Sequence, residues 1–209
     1  MAGDPFERNV FINCPFDEDY EPILQAIAFC VIYLGFVPRL AAERIDGAEN
    51  RLEKIVGLIR DAGLSIHDLS RSQAREAGEH YRMNMPFELG IDVGCRQFGE
   101  ERFRAKKILV LERERYRHQI ALSDIAGCDI EAHGDDFQKA VRKVRNWLVS
   151  EAGGKNVGAA RVLGSYYDFQ EWHYERQLER GFDEEDIRDY PTAELLDAMS
   201  EWIEKGEPV

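Results

Sequence analysis

Short apolar runs alternate with segments of helical periodicity, and this alternation constrains the fold of the 209-residue chain more than any other feature. The short runs are Asn9–Asn13, Phe36–Leu40, Leu64–Leu69, Lys107–Glu112 and Asp129–His133. Strands that alternate with helices are typical of a parallel sheet with helices on both faces. We therefore predict an α/β, flavodoxin-like fold with strand order 2-1-3-4-5. Pro38 lacks an N–H donor, so the second strand is expected at an edge.

The pattern changes after residue 152, where the chain becomes helical and strongly acidic. From Arg161 to Val209 there are fourteen acidic and five basic residues. We predict an α/β domain over 1–152 and a C-terminal helical hairpin over 153–209 that covers it. Residues 1–153 are then expected to fold on their own. The alternative is an oligomer or protein contact through exposed aromatic residues, namely Tyr166, Tyr167, Trp172 and Tyr174.

Composition excludes several classes of function. The formal net charge of −13 disfavours a broad nucleic-acid surface, and no apolar run reaches the length of a membrane span. The four cysteines are widely spaced and the start of the chain is polar, which favours a cytoplasmic protein with free thiols. No spacing of His and Cys predicts a metal site, and no glycine-rich fingerprint predicts a nucleotide cofactor. We expect neither metal nor cofactor.

The predicted topology brings three segments to one crevice. In this strand order the direction in which successive strands are added to the sheet reverses between the first and third strands. Ligands bind at such a point, beyond the carboxyl ends of the strands. The segments are Asn13–Asp17, Asp68–Ser70 and Asn84–Glu88. The candidate catalytic residues are Glu88 and Asp68, and the candidate substrate-binding residues are Asn13, Pro15, Phe16, Asp17, Arg82, Asn84 and Met85.

Purely structural roles remain open for these residues. Glu88 could stabilise the first turn of a helix whose N-cap is Met85, through the helix macrodipole. Asn84 could itself be an N-cap, Asp68 could cap a turn, and Phe16 could belong to the core. The loops Arg44–Gly47 and 71–82 flank the crevice and could be lids, phosphate contacts or solvated loops.

The motifs at the crevice resemble those of nucleoside 2-deoxyribosyltransferases over roughly residues 9–150. Phe11–Phe16 is similar to that family's first strand and loop, and Asp68 to its aspartate after the third strand. Phe87–Gly90 resembles the signature whose glutamate attacks the sugar, which implies that role for Glu88. TIR domains, many of which cleave NAD, share the sheet and a glutamate in the corresponding helix. Bacterial defence systems use both kinds as effectors.

One departure from the family bears on the reaction. Transferases of this kind usually carry an aspartate six residues before the glutamate, where this chain has Arg82. The resemblance therefore implies hydrolysis of an N-glycosidic bond in NAD, a nucleoside or a nucleotide, as a candidate antiphage effector, rather than base transfer. A nucleotide sensor that uses the same pocket without catalysis is the alternative, and an interaction adaptor built on the C-terminal hairpin is another.

Carboxylates suit this chemistry because breaking an N-glycosidic bond develops positive charge at the anomeric carbon. A carboxylate beneath that carbon stabilises the charge or captures it as an ester. Nicotinamide leaves without a proton, whereas a neutral base needs an acid, and a carboxyl with a raised pKa could supply it. We expect Glu88 in the first role and Asp68 in the second.

Overall fold

The structure, a computed structural model, describes residues 5–43, 46–71, 82–120 and 122–208. Its strands are β1 (Asn9–Asn13), β2 (Val37–Arg39), β3 (Leu64–Asp68), β4 (Lys107–Glu112) and β5 (Ile130–Ala132). They form one sheet in the order β2-β1-β3-β4-β5, and all four pairings are parallel. The predicted flavodoxin-like fold is confirmed, with Pro38 on an edge strand and the reversal of strand order between β1 and β3.

Helices flank the sheet on both faces and continue beyond it. They are α1 (Pro5–Arg8), α2 (Glu21–Tyr33), α3 (Arg51–Arg60), α4 (Asn84–Phe98), α5 (Phe137–Ala152), α6 (Ala159–Glu179), α7 (Glu184–Arg188) and α8 (Thr192–Glu204). Asn50 caps α3 and Asp136 caps α5, each by accepting hydrogen bonds from two backbone N–H groups. Both caps fix the direction in which a helix leaves the carboxyl edge of the sheet.

The start of α2 depends on the turn that precedes the helix. Tyr20 occupies the N-cap position without a side-chain cap, and Pro22 lies in the first turn. The Asp17 carboxylate accepts a hydrogen bond from the Tyr20 backbone N–H at 3.0 Å, so Asp17 shapes the turn that precedes the helix. Asp17 therefore belongs to the loop after β1 rather than to the helix.

Each face of the sheet has its own apolar cluster. Alternation along β1 directs Val10 and Ile12 to the face covered by α2 and α5, and Phe11 to the face covered by α3. A third cluster under α4 contains Leu89 and Val110. Both faces of β1 and β3 are buried throughout, as expected for central strands of a parallel sheet.

The C-terminal helices belong to the larger of these clusters. Phe29 of α2 lies 5.3 Å from Tyr166, 5.6 Å from Phe169 and 6.1 Å from Trp202, measured between ring centroids. Phe169 and Trp202 are each 1% exposed. Because α2 is apolar on most sides, it needs α6 and α8 on the side away from the sheet. The segment 153–209 thus shares a core with the α/β part.

The aromatic residues predicted as a contact surface are divided by the fold. Tyr166 is buried in the core, whereas Tyr167 and Tyr174 are exposed. Trp172 is partly buried against the core cluster. Among the described residues, no helix is both long and apolar enough to cross a membrane.

Candidate active site

Asn13 joins the three segments that were predicted to meet at the carboxyl edge. Its side chain is buried, and its Nδ2 donates to the Met85 backbone oxygen at 3.0 Å. The same nitrogen lies 2.9 Å from Nδ1 of His67 in β3. The two N–H groups of the amide therefore tie the end of β1 to β3 and to the first turn of α4. Asn13 thus positions the site, and both donors of its amide are in use.

A buried charge network continues from Asn13 beneath α4. Because His67 Nδ1 accepts from Asn13, its Nε2 carries the proton and donates to Asp92 Oδ2 at 3.0 Å. Lys106 Nζ lies 3.2 Å from Asp92 Oδ1 and donates to the Ile59 carbonyl at 2.8 Å. Burial would raise the pKa of Asp92, but His67 and Lys106 hold it below its ordinary value.

The network orients the face of α4 that carries Glu88. Glu88 and Asp92 are one turn apart and both are buried. Because Asp92 pairs with His67 of β3 and with Lys106, this face of the helix is held against the carboxyl edge of the sheet. Sequence reasoning missed His67, Asp92 and Lys106, although the spacing of four residues between the two carboxylates was visible.

Glu88 lies beyond the first turn of its helix, and this removes the simplest structural explanation for it. The helix begins at Asn84 after Met83, without a side-chain cap and without an acidic residue in its first turn. The predicted N-caps Asn84 and Met85 are therefore wrong. At the fifth helical position, Glu88 is too far along to satisfy the free N–H groups of the helix end.

Glu88 is a buried residue whose carboxylate has no partner among the described residues. The residue is 6% exposed, and within the described part of the chain it makes no hydrogen bond or ion pair. Burial raises its pKa, against a weaker lowering by the charge of Arg51. A carboxylate placed in this way is available for a ligand, since no group in the described part of the chain uses its lone pairs.

Asp68, in contrast, is saturated by hydrogen bonds. Oδ2 accepts from the Tyr20 hydroxyl at 2.7 Å and lies 3.0 Å from Nε2 of His133, while Oδ1 accepts from the Ser70 backbone N–H at 2.8 Å. Burial alone would raise the pKa of Asp68, but hydrogen bonds from His133, Ser70 and Tyr20 hold it below its ordinary value. The expected raised pKa is wrong, so Asp68 is unsuited to hold a proton near neutral pH.

His133, after β5, completes this cluster. Its Nδ1 accepts from the Asp135 backbone N–H at 3.2 Å, so the proton of the neutral ring is on Nε2. That Nε2 faces both Asp68 Oδ2 and Ser70 Oγ, the latter at 2.9 Å. A Ser-His-Asp nucleophile would need the serine and the aspartate on different ring nitrogens, so this arrangement is not such a triad. Sequence reasoning missed Tyr20 and His133.

Replacing Asp68 with Asn is expected to destabilise the fold by about 3–5 kcal/mol, because it breaks one side of a buried charged pair. Burial would lower the pKa of His133, but Asp68 raises it above its ordinary value. The stability that the pair contributes is therefore fully present below the unfolded histidine pKa of about 6.5, and is lost as pH rises through the higher folded-state value.

Thermal melting across this pH range measures both effects. In Asp68→Asn the part of the pH dependence that comes from His133 should disappear, whereas Asp124→Asn, on an exposed residue, should melt like the wild type. An Asp68→Asn protein with unchanged stability and unchanged pH dependence would contradict the assigned pairing.

The rim of the crevice combines exposed apolar side chains with an ion pair between Arg82 and Asp17. Phe16, Met83 and Phe87 are each about half exposed, which is unusual for side chains of this size. Arg82 Nη1 lies 2.8 Å from Asp17 Oδ2, and this ion pair links the segment just before α4 to the loop after β1. Phe16 is therefore not a core residue.

The remaining predicted binding residues divide by exposure. Asn84 is exposed at the start of α4, whereas Pro15 and Met85 are buried and contribute through packing and through the Met85 carbonyl. Of the predicted lid loops, residues 44–45 and 72–81 lie outside the described residues. Arg71 is described, and its Nη2 lies 3.4 Å from Asp17 Oδ1.

Cys14 lies among the carboxylates of the crevice. Burial raises the pKa of its thiol well above the ordinary value, and the charges of Asp68, Glu88 and Asp17 raise it further. All three carboxylates therefore lie close enough to act on one buried sulfur atom. Within the described ranges, no group of three or more His, Cys, Asp or Glu side chains could hold a metal ion.

Comparison with known proteins adds no family assignment. No model of a known protein family matches the chain, and neither does any curated protein or solved structure. The site is defined by two carboxylates at the carboxyl edge of the sheet, near the point where the strand order reverses. Glu88 has no partner among the described residues, and Asp68 is fully hydrogen-bonded.

Proposed function

We propose that the protein hydrolyses the N-glycosidic bond of a nucleoside, a nucleotide or NAD, with Glu88 as the carboxylate at the anomeric carbon. The observation that carries the proposal is Glu88 itself, a buried residue whose carboxylate has no partner among the described residues. Positive charge that develops on a bound sugar would be its natural partner, because the attraction strengthens as the bond breaks and in a site of low dielectric. The resemblance of Phe87–Gly90 to the transferase signature supports the same role.

The rest of the site suits a nucleoside-like ligand. Phe16 and Phe87 are exposed aromatic rings beside the crevice, and such rings stack on planar bases. Arg82 takes the place of the aspartate expected in a transferase, and its guanidinium is paired with Asp17. Water would then be the acceptor of the sugar, which makes hydrolysis the proposed outcome.

A sensor that binds the same ligand without turnover is the second candidate from the sequence, and the burial of Glu88 weighs against it. Burying an unpaired carboxylate is destabilising, and a binding module gains nothing from a charge that acts most strongly on a transition state. Groups of this kind with a shifted pKa are typical of catalytic sites.

Product analysis tests the proposal. The full chain is incubated with NAD and with purine and pyrimidine nucleosides, their 2′-deoxy forms and their 5′-monophosphates, and the release of base or nicotinamide is followed by chromatography. Running the reaction in ¹⁸O-water should place the label on the sugar C1 hydroxyl. A protein that binds one of these compounds in calorimetry but releases no base from any of them would favour the sensor.

A further inference from the structure

Glu112 is a buried carboxyl group that the site described so far does not use. It is the last residue of β4, and the residue before it, Leu111, pairs with Asp68 in the parallel register. The backbone oxygen of Glu112 accepts from the His133 backbone N–H at 3.0 Å. The residue is 1% exposed. Glu112 is therefore at the carboxyl edge of the sheet, next to the strand end that carries Asp68.

One oxygen of this carboxyl group has no partner among the residues that the structure describes. Oε1 accepts from the Arg113 backbone N–H at 2.8 Å, whereas Oε2 is buried and makes no hydrogen bond. A buried carboxylate oxygen without a donor is destabilising, but a protonated oxygen is less so and can donate a hydrogen bond to a ligand. The geometry thus favours a proton on Oε2.

The charges around Glu112 agree with this assignment. Burial raises the pKa of Glu112 to about 7, against the Arg113 backbone N–H and the charge of Arg117. From β3 the charge of Asp68 raises it further, and from the segment after β5 the charge of His133 lowers it.

Two neighbouring carboxyl groups thus have opposite tendencies, since the pKa of Asp68 is held below its ordinary value and that of Glu112 is raised to about 7. Environments that separate two carboxyl groups in this way distinguish the acid from the base in other enzymes.

We propose that Glu112, and not Asp68, is the acid that gives a proton to a neutral leaving base. The inference rests on the proposed function and names a second group for it. Asp68 then acts as a positioning residue, because its hydrogen bonds with Tyr20 and His133 hold together the strand ends next to Glu112.

The proton and electron balance of the step is simple. As the bond between C1′ and the base nitrogen breaks, its electron pair leaves with the base and the Oε2 proton passes to the base. Glu88 stabilises or captures C1′. Water then adds to C1′ and returns a proton to Glu112, so a nucleoside and water give a free base and a sugar. Nicotinamide leaves NAD as a neutral molecule and needs no such proton.

The Glu112→Gln variant tests the inference through its pH profile. With a nucleoside or nucleoside 5′-monophosphate that the wild type cleaves, kcat should fall by about a hundredfold or more at about pH 6. The loss should shrink at about pH 9, where Glu112 of the wild type is ionised as well. The decline of wild-type rate as pH rises through the Glu112 pKa should be absent from the variant. Cleavage of NAD should change less than about threefold.

Glu114→Gln is the matched control, because it makes the same charge change two residues away on an exposed side chain. Melting curves of all three proteins report any loss of fold. An equal loss of kcat on NAD and on the neutral-base substrate would show a structural role and overturn the inference. A Glu112→Gln variant whose rate still declines over the same pH range as that of the wild type would overturn it too. Wild type that releases nicotinamide but never a neutral base would also overturn it. Wild type that releases neither would instead overturn the proposed function.

Discussion

Glu88→Gln is expected to lower kcat for base or nicotinamide release by about a hundredfold or more, while ligand binding and the fold persist. Glutamine has the size of glutamate but lacks the charge that opposes the growing positive charge on the sugar. That interaction is strongest in the transition state, so kcat should fall more than KM changes.

The same substitution should not destabilise the protein. Burial raises the pKa of Glu88, which means that ionising this group in the folded state is unfavourable. Glutamine removes that penalty, so the melting temperature at neutral pH should equal or exceed that of the wild type. Catalytic groups often carry such a penalty in stability, and relieving it while losing activity is the expected signature.

Steady-state kinetics, calorimetric ligand binding and melting curves measure these effects together. Glu171→Gln is the matched control, since Glu171 is an exposed glutamate in the middle of α6 and should leave all three measurements unchanged. A Glu88→Gln protein with normal turnover would show that the resemblance assigns the wrong residue. A marked fall in melting temperature would instead show that Glu88 supports the fold.

Truncation after residue 153 is expected to give an insoluble or non-cooperatively melting product. The removed segment contains Phe169 and Trp202, both buried against Phe29 of α2. Removing one large aromatic side chain from a core costs about 3–5 kcal/mol. Two such losses are comparable to the whole stability of about 5–15 kcal/mol for a typical domain. The exposed side of α2 would then promote aggregation.

Point variants in the full chain separate this effect from truncation itself. Phe169→Ala should lower stability strongly, whereas Leu178→Ala, on the same helix but largely exposed, should have a small effect. Denaturant unfolding measures both. A soluble fragment 1–153 with a cooperative transition would instead support the division into an α/β domain and a separate extension.

Periodicity and topology were enough to predict the architecture from the sequence. Apolar alternation around β1 and β3, helical spacing between them and a proline in β2 predict a parallel sheet with a known order, because few connections between such elements are allowed. From that order it also follows that Asn13, Asp68 and Glu88 approach one edge of the sheet. These conclusions depend on local patterns that every strand and helix displays by itself.

The tertiary structure decides which carboxyl groups favour a proton and which have hydrogen-bond partners. Asp68 and Glu112 both end a strand, and nothing local distinguishes them as acid or base. Three donors converge on Asp68 from Tyr20 just before α2, the loop after β3 and the segment after β5. In the described part of the chain, one oxygen of Glu112 meets none. A pKa depends on burial and on groups distant in the chain, so only the assembled fold assigns it. For the same reason, the residues expected to cap α4 gave the wrong start for that helix. In the folded protein Glu88 lies beyond the first turn and has no partner among the described residues.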